Sequence, residues 1–236
     1  MINAPLARNG PITGLTTVWR STIGKKFVMA VTGLIWFGYL IAHLWGNLKI
    51  YAGPSYLNEY GGFLRTVGGP LFGPSQLLWV ARIILIPAFA VHILAAVQIK
   101  QRDIAGRPRA YARRRNLEST IASRTMLWGG LFILLFVMYH VLDFTFGTVN
   151  PSYEEGNIYH NVVASFRILP VAVFYVLAML AVALHLFHGI WSSFQTLGLN
   201  TTRSNRLVRN LAIIFSLALT AGNISIPVAV LFGVVS

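Results

Sequence analysis

The chain has 236 residues, 56% of them hydrophobic and only 11% charged, with a mean hydropathy of +0.65. Soluble domains carry about a quarter charged residues, so the composition excludes an ordinary water-soluble fold and predicts an all-α integral membrane protein whose helices satisfy their own backbone. There is no cysteine, which excludes disulfides, thiolate metal sites and Cys-ligated iron–sulfur clusters within this chain; the net charge of +13 is what basic loops give a membrane protein and implies no nucleic acid.

The N-terminal stretch "MINAPLARNGPITGLTTVWRSTIGKK", residues 1–26, is polar and basic. It lacks the short apolar core and small-residue cleavage site of a signal peptide and reads as a cytoplasmic arm. Five apolar segments follow, at about 27–48, 77–99, 125–146, 169–193 and 208–234. Each reaches the roughly 20 residues a helix needs to span a bilayer, so we expect five transmembrane helices, I to V, in one membrane domain over 1–236. Pro87 lies inside II and Pro170 near the start of IV, positions where proline is tolerated and kinks a membrane helix.

Lysine and arginine orient the chain. The arm holds Arg8, Arg20, Lys25 and Lys26. The II–III loop holds Lys100, Arg102, Arg107, Arg109, Arg113, Arg114, Arg115 and Arg124, and the IV–V loop holds Arg203, Arg206 and Arg209. The opposite side has Lys49, Arg65, Arg82 and Arg167 beside Glu59, Glu154 and Glu155. The positive-inside rule places the N-terminus in the cytoplasm and the C-terminus outside. The two outer loops, "YAGPSYLNEYGGFLRTVGGPLFGPSQ" and "GTVNPSYEEGNIYHNVVASFR", are long enough to cap the bundle or line a ligand entrance; a loose solvated loop fits their composition equally.

Four histidines interrupt the apolar segments, in "LIAHLWGN", "FAVHILAA", "VMYHVLDF" and "VALHLFHG". With the helices oriented, His43 on I and His140 on III share an outer level, and His92 on II and His185 on IV share an inner one. At 1.5 Å per residue the levels lie about 12–15 Å apart. Two depth-matched pairs, each from two helices, are what two stacked bis-histidine haems need. Taken singly, a membrane histidine is as readily an interhelical hydrogen-bonder or a proton-relay member; the matched depths favour ligation. Gly38, Gly46, Ala88, Ala95, Ala96, Gly129, Gly130, Ala181 and Ala183 lie near these histidines and leave room for a flat macrocycle. His160 falls in the acidic outer loop and reads as solvated, and His188 sits one turn from His185 on the same face.

The stretch "IGKKFVMAVTGLIWFGYLIAHLWGN" resembles the first helix of the cytochrome b membrane anchor of succinate dehydrogenases and fumarate reductases, in its single-chain, five-helix, two-haem form; "SRTMLWGG" and "LHLFHGIWSSFQTLG" resemble it further along. The resemblance runs from about Trp19 into helix V. It implies a four-helix bundle, I to IV, around two haems b, with His92 and His185 on the inner iron and His43 and His140 on the outer, plus helix V. It implies an anchor in the bacterial cytoplasmic membrane that holds a flavoprotein with FAD and an iron–sulfur subunit on its cytoplasmic face. Electrons would pass between those partners and menaquinone, towards quinone from succinate or in reverse for fumarate. By itself the chain would not oxidise succinate. A haem-free, quinone-binding anchor of the same fold is the alternative. A small transporter would need charges at helix centres or inverted repeats, and neither is evident.

Further residues follow from that reading. Arg20, Lys25, Lys26 and Arg124 sit at inner helix ends, either as propionate partners or as ordinary interfacial anchors. A quinone needs a hydrogen-bond partner for each carbonyl. Ser21, His188, Trp191 and Ser192 are the inner candidates, with Arg20 and Lys25 beside them. Asp143 is the outer one, because an intramembrane carboxylate is a functional candidate by default, with Glu59 of the outer loop a weaker candidate in the same region; Asp143 also reads as an interfacial carboxylate snorkelling to water.

Overall fold

The computed structural model describes residues 11–106 and 121–236; Arg8, Arg107, Arg109, Arg113, Arg114 and Arg115 lie outside the described residues. Among these residues the chain is helical, with no strand. Five helices are long and apolar enough to cross a membrane: α2 (Thr22–Asn47), α4 (Gln76–Ala105), α5 (Ile121–Phe144), α7 (Leu169–Thr196) and α8 (Asn205–Leu231). Three short helices, α1 (Pro11–Arg20), α3 (Pro54–Thr66) and α6 (Ile158–Arg167), lie between or before them.

The arm is shorter than its sequence suggested, because α2 starts at Thr22. Ser21 caps it, its hydroxyl accepting from Gly24 N at 2.8 Å. Lys25 enters the helix because its ammonium has local partners: it donates to the Trp19 carbonyl and lies 4.6 Å from the centre of the Trp19 ring. The corner between α1 and α2 requires Gly24, where a Cβ would stand 1.9 Å from the Val18 carbonyl oxygen. Arg102, near the end of α4, clasps the same corner, donating to the Arg20 carbonyl at 2.8 Å and the Thr22 hydroxyl at 3.2 Å. We call this the basic end of the bundle.

Pro170 occupies the first turn of α7, where its missing N–H is no loss; it starts the helix rather than kinking it. Pro87 lies inside α4 and Pro227 inside α8.

The long helices pack in the order α4–α2–α7–α5, with α8 laid against α7 and α2. Small residues bring α7 and α8 together: Ala172, Ala178 and Ala212 are fully buried. Among the described residues the pairs α4 with α7 and α2 with α5, which lie across diagonals, do not pack closely, and neither do α4 and α5. Ile83, Ile86, Leu135, Leu180 and Ile214 are among many large apolar side chains left exposed on the long helices. Such a belt belongs against lipid rather than water.

Both outer loops fold as caps. At the end away from α1, α3 packs on α6 and α6 on α8. Asn58 joins the two caps, donating to Asn157 Oδ1 at 3.1 Å and accepting from Tyr159 N at 3.0 Å. Asn161 closes the turn before α6, its amide accepting from Glu154 N and donating to Glu154 O, both at 2.7 Å. Beneath the caps lies a core that includes Ile50, Leu57, Phe136, Val163, Phe166, Tyr175 and Ile226.

Candidate functional site: two histidine pairs across the bundle

The fold brings the four intramembrane histidines together as two pairs. The His43 and His140 ring centres are 5.8 Å apart, and those of His92 and His185 are 6.2 Å apart. Each pair bridges one diagonal: α2 to α5, and α4 to α7. A metal–imidazole bond is about 2 Å, so two imidazoles on opposite sides of one ion have ring centres about 6 Å apart. Both observed separations meet that requirement.

In His92 and His140 the Nδ1 atoms are engaged in ways that free Nε2. His92 Nδ1 lies 3.2 Å from the Met29 carbonyl and 3.2 Å from Thr32 Oγ1. A carbonyl only accepts, and the Thr32 hydroxyl donates to Val28 O at 2.8 Å, so Nδ1 carries the proton and Nε2 keeps its lone pair. His140 Nδ1 lies 3.4 Å from the Tyr175 hydroxyl, whose proton goes to Asp143 Oδ2 at 2.8 Å; here too Nδ1 is the donor. Tyr39, one turn before His43, stacks on its ring at 5.3 Å, with its hydroxyl 3.5 Å from Nδ1. His185 Nδ1 has no hydrogen-bond partner. Fixing the tautomer through the distal N–H is how metal-ligating histidines are usually held.

Space beside the rings is kept by glycine. A Cβ at Gly33 would stand 3.3 Å from His92 Cε1, and one at Gly130 would stand 3.8 Å from His185 Cε1. Nothing lies within 4 Å of a Cβ built at Gly38 or Gly129. A small cavity of about 60 Å³ opens between Met126, Gly129, Ala181, Leu184 and His185. Gly46 serves the cap instead, since a Cβ there would meet the Tyr60 ring at 2.6 Å.

The remaining candidates divide by position. At the basic end Arg20, Lys26 and Arg124 are exposed and Lys25 is buried. Ser21 uses its hydroxyl twice in the α1–α2 corner, accepting from Gly24 N and donating to Val18 O at 2.9 Å. Trp191 gives its indole N–H to Asn205 Oδ1 at 2.9 Å and carries Arg209 over its ring at 5.7 Å. His188 Nδ1 is buried without a partner, and Ser192 is half-buried nearby. A crevice of about 410 Å³ lined by Thr16, Val18, Trp19, Arg20 and Val28 opens beside α1. At the capped end, Glu59 is exposed on α3. His160 bonds the Ser152 carbonyl at 3.0 Å and lies 3.5 Å from Glu154.

Asp143 does not snorkel. It is fully buried under α6, where Oδ2 accepts from Ser165 Oγ and from Tyr175 Oη, each at 2.8 Å, while Oδ1 has no partner. Sequence reasoning missed Met29, Thr32, Gly33, Ser165 and Tyr175. Of the residues flanking the rings, Tyr39 before His43 and Phe136 and Phe144 on either side of His140 stood in a readable relation, four residues away on one helix face.

No family model matches the chain, and no curated protein or solved structure matches it either. The fold itself defines the class: a multi-pass helical membrane protein with five candidate spans. Its candidate site is a double histidine clasp inside the bundle.

Proposed function

We propose that this chain is the diheme cytochrome b membrane anchor of a succinate:menaquinone oxidoreductase, respiratory complex II, in a bacterial cytoplasmic membrane. One observation carries the haem reading: the two diagonal histidine pairs, at 5.8 and 6.2 Å, each spaced to hold one ion between two imidazoles. His92 and His185 would hold the haem nearer the basic end, and His43 and His140 the one nearer the caps. When bound, each haem supplies one-electron exchange at iron. The residues of this chain would hold the ion between the two rings of each pair; the Met29 carbonyl keeps the proton on His92 Nδ1, Tyr175 keeps it on His140 Nδ1, and aromatic side chains surround His140.

Membership of complex II rests on the motif resemblance of the first, third and fourth long segments. The basic end, with Arg20, Lys26, Arg102 and Arg124 and few acids, suits the docking of acidic soluble partners. Those partners would bring FAD and the iron–sulfur clusters that a chain without cysteine cannot hold. The apolar crevice beside α1 and the partnerless His188 offer two places at that end for a quinone headgroup.

The test is purification of the complex through a tag on this chain. The expected result is a reduced-minus-oxidised spectrum with b-type α-bands, two haems per chain, and co-purified flavoprotein and iron–sulfur subunits. A complex with those subunits but no b-type absorption would replace this reading with the haem-free anchor.

A further inference from the structure

The two histidine pairs are not backed alike. The ring of His92 leans on neutral groups, a carbonyl and a hydroxyl, and His185 Nδ1 has no partner. Behind His140 stands a chain of polar groups that ends in a carboxyl: His140 Nδ1–H to Tyr175 Oη at 3.4 Å, then Tyr175 O–H to Asp143 Oδ2 at 2.8 Å. Ser165 on α6 adds a second O–H to the same oxygen at 2.8 Å. Asp143 is fully buried, and its other oxygen has no partner. Placing a carboxyl group there costs free energy unless something uses it.

We propose that Tyr175 and Asp143 are positioning residues that lower the reduction potential of the outer haem relative to the inner one. The inference rests on the haem reading above. An imidazole on ferric iron is a stronger N–H donor than the same imidazole on ferrous iron, because the oxidised metal withdraws more charge. A relay that accepts from Nδ1–H and leads to a buried carboxyl therefore stabilises the oxidised state and raises ligand basicity. Reduction adds one electron, breaks no bond in the relay and leaves the Nδ1 proton on His140. Burial strengthens the effect, since few solvent dipoles are present to screen it. The aromatic wall of Phe136, Phe144 and Phe166 around Tyr175 and His140 keeps the relay dry.

The experiment is a redox titration of the b-type absorption in the intact purified complex, comparing wild type with Tyr175→Phe and Asp143→Asn. The outer haem is identified as the one absent from His43→Ala. We expect both variants to keep two haems and to shift only the outer midpoint, towards more positive potential, with the double variant adding little beyond the larger single shift. Two retained haems with an unshifted outer midpoint in either variant overturns the inference and leaves the haem reading standing. Loss of the outer haem from Tyr175→Phe, which keeps the ring and its packing, marks a purely structural role and also overturns it. A wild-type complex without haem overturns the function reading and this inference together.

Discussion

His92 and His185 meet across the bundle with ring centres 6.2 Å apart, although the helices that carry them, α4 and α7, do not pack closely on each other. The side chains alone cross the diagonal. The His92 ring also touches α2, through the Met29 carbonyl and the Thr32 hydroxyl. We expect His92→Ala and His185→Ala each to lose one haem and keep the other, halving the b-type absorption per chain. His43→Ala and His140→Ala should remove the other haem. If His185→Ala keeps both haems while His188→Ala loses one, the ligand on α7 is His188.

Gly33 faces the His92 ring, with 3.3 Å between its would-be Cβ and Cε1. A larger side chain would press the imidazole off its Met29 and Thr32 partners. Gly33→Leu is expected to lose the same haem as His92→Ala, read from pyridine haemochrome content, while the helical content of the purified protein stays at the wild-type level.

The Ser21 hydroxyl makes two of the hydrogen bonds at the α1–α2 corner. Loss of an N-cap hydroxyl costs about 1 kcal/mol. Ser21→Ala should lower the thermal stability of the purified complex by about that amount, and Ser21→Thr should restore it. A Ser21→Ala variant with unchanged stability but a raised quinone KM would make Ser21 a quinone ligand instead.

Asn58 ties the two caps through two hydrogen bonds of its amide, one to Asn157 Oδ1 and one from Tyr159 N. Asn58→Ala leaves the Tyr159 amide without its acceptor in a partly buried site, at a cost of roughly 1–3 kcal/mol. The expected readout is faster hydrogen exchange in α3 and at the start of α6, with α2 and α7 unchanged.

Arg102 holds the α1–α2 corner through the Arg20 carbonyl and the Thr22 hydroxyl. Arg102→Ala should raise proteolytic cleavage near Arg20 severalfold in detergent without altering haem content. Uncleaved protein under the same conditions would mean that the Lys25–Trp19 contact holds α1 by itself.

The spans were legible because apolar length alone specifies a membrane helix, and the pairing of His43 with His140 and His92 with His185 was legible because topology converts position into depth. Boundaries were less so. Helix α2 begins five residues before the apolar run, since the Ser21 cap and the Trp19 carbonyl let Lys25 enter a helix that hydropathy would exclude it from. The outer loops were ambiguous because α3 and α6 owe their order to asparagine contacts between segments about a hundred residues apart, Asn58 with Asn157 and Tyr159. The Asp143 environment was hidden for the same reason: nothing local to "HVLDF" indicates that Ser165 and Tyr175 converge on it.

The open diagonals bear on rigidity. The rings of His43 and His140 bring α2 near α5, and those of His92 and His185 bring α4 near α7, so an ion shared by each pair would act as a cross-brace between helices that otherwise pack in a row, α4–α2–α7–α5. A frame without cross-braces resists compression along its edges but shears easily. Under the proposed function, an ion on each diagonal would supply the missing resistance to shear.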